Sequence, residues 1–357
     1  MKTQQGMAIV CNLLLSQRLP RRQILRIAAL LTVLIAPFLI QTASSHHSEA
    51  GFDVETVVAF QGTVSEVAWR NPHVYFRVAT AADSGSTVEW EVETGGIPLL
   101  ERSGWHRDSL RPGDRITVRG HPAREPGRTY ALLLSLEMAD GSVLQQQVTN
   151  SQATDVATSL AGTWKGNLAN LGDLSQGFRS IPLTPAGRAA LEAFDVNTEH
   201  PAASCIAYPT PAIIVGSGFW LSQIDPGEDV VTIRNEWFDV ERTIFMDGRD
   251  HPENGERTIQ GHSIGWWEGG TLVVDTTNFA DHRSPYQTGV PSGPQKHVVE
   301  RYTLSDDGTR ILVEFTLEDP QYLAEPFTGT VDWIYRPDLE FFQFNCDPDV
   351  SSQYVPR

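Results

Sequence analysis

The second half of this sequence concentrates side chains that move protons and bind anions. "DGRDHP" (247–252), "GHSIGWWEGG" (261–270), "VVDTT" (273–277), "DHRS" (281–284) and "KHVVERY" (296–302) supply His262, Glu268, Asp275, His282, His297, Glu300 and Arg301, with Arg242 and Arg249 close by in sequence. Acid–base work near neutral pH needs a histidine or a perturbed carboxylate in a partly closed pocket, and a substrate anion calls for an arginine. His262 with Asp275 is the first candidate pair and Arg242 the candidate anion binder, with Glu268 and His297 completing the catalytic set. The same pattern also suits cross-strand charge pairs on the outside of an antiparallel sheet, because alternation alone does not say which face points inward.

A different chemistry is suggested near the N-terminus, where "ASSHHSEAGFD" (43–53) places His46 and His47 behind an apolar run. A chain processed to begin at His46 chelates copper through its amine and an imidazole nitrogen, with His47, His73 or His121 completing a nitrogen-rich set. The competing reading is a signal junction followed by histidines that bond turns. A third group is aromatic. Trp164, Trp220, Trp237, Trp266, Trp267 and Trp333 suit either a barrel core or an apolar ligand cavity, with Trp266, Trp267, Trp237 and Trp333 the candidate ligand contacts. Walker, dinucleotide-glycine, Gly-x-Ser-x-Gly and His-Glu-x-x-His signatures are absent, so an organic cofactor is not expected and copper is the one candidate ion.

These groups need elements to position them, and a chain of 357 residues, 40% hydrophobic and 20% charged, has a globular composition. Residues 1–45 read as a secretory signal: Arg18, Arg21, Arg22 and Arg26 precede the apolar "ILRIAALLTVLIAPFLI", and Ala43 and Ser45 fit a cleavage site. The alternative is an uncleaved anchor, the only membrane association expected. Removing that segment leaves 22 Lys and Arg against 44 Asp and Glu, a balance of −22 that disfavours nucleic acid. Cys205 and Cys346 then remain as an even pair in an oxidising compartment, which predicts a disulfide; separate thiols are the alternative.

From Phe52 to about Gln145 strand follows strand, interrupted by one short helix near 99–103, which is the order of a five-stranded OB-like barrel. Residues 148–160 read as a linker between the OB-like domain, 46–147, and a second domain, 161–357. The second domain opens with "AGTWKGN" and then gives one helix, "TPAGRAALEAFD", with Thr184 as N-cap and Pro185 at its first position. Seven or eight strands follow, joined by turns such as Glu268-Gly269-Gly270-Thr271 and Asp306-Asp307-Gly308-Thr309. In "RILVEFTLED", Ile311, Val313, Phe315 and Leu317 share one face, the mark of a half-buried antiparallel strand. The fold expected is mainly β: a small OB-like barrel, then a larger antiparallel barrel or sandwich, a lipocalin-like meander.

His46-His47-Ser48, Phe52-Asp53, Gly62-Thr63-Val64, Trp69-Arg70-Asn71-Pro72-His73, Gly104-Trp105 and Pro112-Gly113-Asp114 together resemble a group of exported bacterial proteins of unknown function. "LTPAGRAALEAFD", "RTIFMDGRDHP", "GHSIGWWEGGTLVVDTTNF" and "TLEDPQYLAEPFTGTVDW" are similar to an exported module of the same organisms, with Trp267 and Gly270 departing from its pattern. The resemblance implies export and two β-rich domains, and no activity. The expected protein is therefore periplasmic or secreted, and binds a small apolar or aromatic molecule in its second domain. The alternatives are an isomerase, lyase or hydrolase using the His/Asp pair, and a copper binder at His46.

Overall fold

The computed structural model describes residues 51–82, 85–146 and 152–352. The first barrel is built from β1 (Val58–Ala68), β2 (Tyr75–Ala81), β3 (Thr87–Glu93), β4 (Arg115–Pro122) and β5 (Tyr130–Met138), with α1 (Ile97–Arg102) between β3 and β4. β1 pairs with both β2 and β4, β4 with β5, and a parallel β3–β5 pairing closes the ring, which is the expected OB-like order. A short β6 (Val143–Gln145) extends β5 as a hairpin. Val64, Phe76, Val78, Val92, Leu100, Trp105, Ile116, Val118 and Leu136 pack the interior.

The second barrel closes nine strands in the order β10-β11-β12-β13-β14-β15-β7-β8-β9. They are β7 (Gly162–Gly166), β8 (Leu221–Pro226), β9 (Val230–Asn235), β10 (Val240–Phe245), β11 (His262–Glu268), β12 (Thr271–Thr277), β13 (His297–Leu304), β14 (Arg310–Glu318) and β15 (Phe327–Tyr335). Between β7 and β8 lie α2 (Ala169–Ser180), α3 (Pro185–Glu192), α4 (Val196–Glu199) and α5 (Ala212–Gly216). The helix predicted at "TPAGRAALEAFD" is α3, and Thr184 Oγ1 accepts from Gly187 N at 3.0 Å as its N-cap. A two-residue turn joins β11 to β12 through Gly269-Gly270, where Gly269 has φ +62°. Ile311, Val313, Phe315 and Leu317 of β14 are all buried, as the alternation predicts.

The inward residues of β7 to β15 fill much of the interior themselves. Trp164, Trp333, Tyr302, Leu272, Val274, Val298, Val331 and Ile244 belong to one core cluster, and Ala212, Ile213 and Ile214 of α5 pack into it. Two departures from the sequence expectation follow from chain path. The segment "RTIQGHSIGWWEG" (257–269), which reads as one strand in the sequence, forms a strand only from His262, because β10 and β11 are parallel, with Ile244 opposite Ser263 and Phe245 opposite Ile264. Parallel neighbours cannot share a tight hairpin, so residues 246–261 travel back along the barrel wall. The expected linker is also packed where it is described: Ala157 and Leu160 are buried, and Ala157 N donates to Gly308 O at 2.9 Å.

The predicted disulfide joins Cys205 to Cys346. It ties the segment before α5 to a C-terminal strap that ends in α6 (Pro348–Ser351) and lies against both barrels. From the first barrel, Asn71 Nδ2 donates to Phe344 O, Asp347 N donates to Asn71 O, and Arg70 pairs with Asp347 at 2.9 Å. Arg102 of α1 donates both guanidinium arms, each at 2.8 Å, to Glu236, a fully buried carboxylate. Glu236 also accepts from Leu221 N and Phe342 N, so α1, β8 and the strap share one anion. Among the described residues, no helix is long and apolar enough to cross a membrane.

Candidate functional site

Strand alternation separates the candidate residues into two sets. On β12, Leu272, Val274 and Thr276 face the barrel interior and Asp275 faces outward; on β13, Val298, Glu300 and Tyr302 face inward and His297 outward. Arg242 of β10 belongs to the inner set and lies apart from His262 and Asp275. Its Nη1 and Nη2 donate to Glu300 at 2.8 and 2.5 Å, and Nη2 reaches Ser263 and Thr276 hydroxyls at 3.4 and 3.3 Å. Thr210 and Tyr302 hydroxyls complete the shell around Glu300, each donating at 2.9 Å. Glu300 thus neutralises Arg242 inside the core, and the expected anion binder is a structural cation.

The outer set converges through a residue that the first pairing did not include. His251, carried by the 246–261 crossover, stands between His262 and Asp275: its Nδ1 is 2.9 Å from His262 Nδ1 and its Nε2 is 3.0 Å from Asp275 Oδ1. On the other side of the carboxylate, His297 Nε2 lies 3.0 and 3.1 Å from the two Asp275 oxygens, and His297 Nδ1 faces Glu318 at 3.4 Å. His262, His251, Asp275, His297 and Glu318 form one continuous chain across β11 to β14. Backbone bonds hold the crossover in place: Ala280 N donates to Thr258 O at 2.7 Å, and Thr258 N to Asn278 O at 3.3 Å. Side chains add to them, with Asn278 Nδ2 donating to Pro252 O and Arg257 to Phe279 O and Pro294 O. Gly261 turns the chain into β11 at φ +72°, and a Cβ there would lie 2.6 Å from Thr277 O.

The protons of this chain follow from its ends. An ionised Asp275 only accepts, so His251 and His297 each donate an Nε2 hydrogen to it. A neutral His251 then presents the Nδ1 lone pair, His262 donates its Nδ1 hydrogen there, and the acceptor lone pair of His262 is on Nε2. Burial works to raise the Asp275 pKa, but hydrogen bonds and charge from His297 and His251 outweigh it and hold the carboxyl below its ordinary range. The bond to Asp275, against the opposing effect of burial, raises His297, with Glu318 adding to it. His262 is lowered, first by burial and then by the neighbouring His251 and Arg249. The imidazoles at the two ends of the His262–His251–Asp275–His297 path are thus shifted in opposite directions.

The surroundings are partly apolar. Phe245 stacks on His262 with ring centroids 5.2 Å apart, and the Arg249 guanidinium lies 3.9 Å over the Phe245 ring while paired to Asp247. Thr277, opposite His262 in the ladder, stands on the outer face between β11 and β13. Further along β11, Ile264 and Trp266 continue the same face, and Trp266 is 42% exposed. Glu268 is at the far end of β11, about 20 Å along the strand from His262. It pairs there with Arg301 at 2.8 Å and accepts from Trp266 Nε1, outside the chain of histidines.

The four candidate ligand tryptophans occupy different places. Trp333 is buried in the barrel, Trp237 packs on Tyr208 and Phe238, Trp266 lies on the outer face, and Trp267 is 48% exposed near the turn. His46 and His47, with the expected signal segment, lie outside the described residues. His73 Nδ1 is engaged by Thr94 O at 2.9 Å and Glu93 Oε1 at 3.2 Å, and His121 Nδ1 by Thr56 O at 2.8 Å. Among the described residues no group of three or more His, Cys, Asp or Glu converges on a metal position. His282, in the first cluster by sequence, is buried away from the chain and lowered to about 4 by that burial, with the Lys296 charge adding to it.

His251 belongs to the "DGRDHP" segment, yet nothing in its spacing from Asp275 foretells the contact. A parallel crossover brings it there, and parallel pairing leaves no local sign at a position 24 residues away. Glu318 has a fainter signal as the outward residue ending β14.

Residues 36–132 match a family of unknown function, DUF6152. The DUF6152 match reaches into β5 and includes Trp69-Arg70-Asn71-Pro72-His73, whose Asn71 bonds both Ile97 N of α1 and the C-terminal strap. Asn71, within the matched residues, is therefore a joint of the architecture. The histidine chain lies outside the matched residues. No curated protein is a significant match for the chain.

Proposed function

We propose that this is an exported acid–base enzyme acting on a small molecule at the outer face of β11 to β13, as an isomerase, lyase or hydrolase. His262 Nε2 takes the proton, and His251 and Asp275 hold the tautomer that keeps this nitrogen available, with His297 bonded to the same carboxylate. The single observation that carries the reading is the unbroken path from His262 through His251 to Asp275. A lone surface histidine has no such support, and a lowered His262 pKa keeps the ring neutral where a base must be neutral.

Ile264 and Trp266, outward on the same strand, supply the apolar surface on which the body of a substrate rests. The preference for an apolar or aromatic small molecule thus moves from the barrel interior to this face. The disulfide supports an oxidising compartment outside the cytosol.

Proton abstraction can be read directly, whatever the product. The protein is incubated in D2O with a pool of small carboxylic, keto and aryl-substituted carbon acids, and deuterium uptake and turnover are followed by mass spectrometry. Wild-type protein should exchange at least one compound, and His262→Gln and Asp275→Asn should not. Equal exchange by His262→Gln, or none by the wild type across the pool, would overturn the assignment.

A further inference from the structure

We propose that His297 is a positioning residue that regulates this site: its positive charge, delivered to Asp275, sets how readily His262 accepts a proton three side chains away. The inference rests on the reading of the chain given above and adds the control of its base. Among the described residues Asp275 is the only carboxylate hydrogen-bonded to His251, and the same oxygen, Oδ1, receives both His251 Nε2 and His297 Nε2 at 3.0 Å. Whatever hydrogen-bonding capacity and negative charge His297 takes from that oxygen is withdrawn from His251, and through it from His262.

Glu318, 3.4 Å from His297 Nδ1, supports the doubly protonated ring on its other nitrogen. Charged and titratable neighbours face the two rings from each packed element. His297 meets Asp275 from β12, with Glu318 from β14, and His262 meets His251 and Arg249 from the crossover, with Arg249 already paired to Asp247. Glu268 and Arg301 pair with each other at the far end of the face. The rows of His262 and His297 are two strand spacings apart, about 10 Å. At that separation, a unit charge partly screened by water and salt alters a proton affinity on the order of threefold.

The sign is definite. Below its raised pKa, His297 is cationic and makes His262 a poorer proton acceptor, so that more of His262 is neutral in mildly acidic solution. Removing the charge makes His262 more basic and less available as free base at the same pH. The effect vanishes in alkaline solution, where both rings are neutral.

Diethyl pyrocarbonate, which acylates neutral imidazole, reads this with peptide mapping by mass spectrometry on the whole protein. His297, His251 and His262 fall in separate tryptic peptides, and fragmentation separates His262 from His282. Between pH 5 and 6, His297→Gln should slow His262 modification about threefold, with rates converging by pH 8, and His297→Lys should retain the wild-type rate by restoring the cation. In a His251→Gln background only the direct field of the charge remains, so the His297→Gln effect should be smaller than in the protein that keeps His251. An unchanged rate in His297→Gln, or the same loss in His297→Lys, would overturn the proposal. If His251→Gln alone leaves the His262 profile untouched, the chain itself is wrong and the enzyme reading falls with it.

Discussion

Replacing Asp275 by Asn tests the centre of the chain with the smallest change of shape. The carboxylate accepts from His251 at 3.0 Å and from His297 at 3.0 and 3.1 Å, and Asn offers one carbonyl oxygen and no charge in its place. His251 is then free to carry its hydrogen on either nitrogen, so His262 loses the partner that fixes its Nε2 lone pair. General-base contributions of this kind amount to about 10²–10⁴ in rate. Stability changes far less. Two bonds to an ionised group contribute about 1.5–3 kcal/mol each when shielded, and the partial exposure of Asp275 reduces the loss to about 1–2 kcal/mol. Asp275 is depressed in the folded state, so its contribution is present above about pH 4 and lost as pH falls through the folded value. His297 is raised, so its contribution is present below about pH 6.5 and lost as pH rises through the folded value. The destabilisation of Asp275→Asn should therefore be greatest between about pH 4 and 6.5 and smaller at pH 9. Urea unfolding at these pH values, with the D2O exchange assay at each, measures both arms. A rate loss below tenfold, or a stability loss independent of pH, would refute the argument.

The interior pair behaves differently. Glu300→Gln leaves the Arg242 guanidinium buried with no counter-charge and should cost about 3–5 kcal/mol in urea unfolding, whereas Arg242→Met with Glu300→Leu should recover most of it. Thr184→Ala removes the oxygen that caps α3 and should lower stability by about 1 kcal/mol, seen as earlier urea unfolding with unchanged His262 reactivity. Cys205→Ser with Cys346→Ser opens a loop with a sequence separation of 141 residues, for which chain entropy predicts a loss of about 5 kcal/mol. Protease cleavage within the strap should then rise sharply, because non-covalent contacts such as those to Asn71, Asp239 and Glu236 are left to hold it.

Much of this architecture is legible in residue order. "RILVEFTLED" alternates, and its apolar half is buried; Thr184-Pro185 begins a helix; Gly269-Gly270 turns a hairpin; two remaining cysteines pair. Each is a local signal, read over a few residues or by parity. The candidate site was legible only as an inventory. His262, Asp275 and His297 meet in one chain, but Arg242, drawn from the same inventory, belongs to the core, and Glu268 belongs to a separate pair at the far end of a strand.

Composition, alternation and turn chemistry by themselves determined that this chain makes two β-rich bodies with a disulfide. Tertiary structure decided which alternate residues of β10, β12 and β13 face inward, because closing a barrel chooses a side that periodicity leaves open. It also decided that β10 and β11 run parallel. That choice forces residues 246–261 back across the outer wall, and this crossing is what sets His251 between His262 and Asp275.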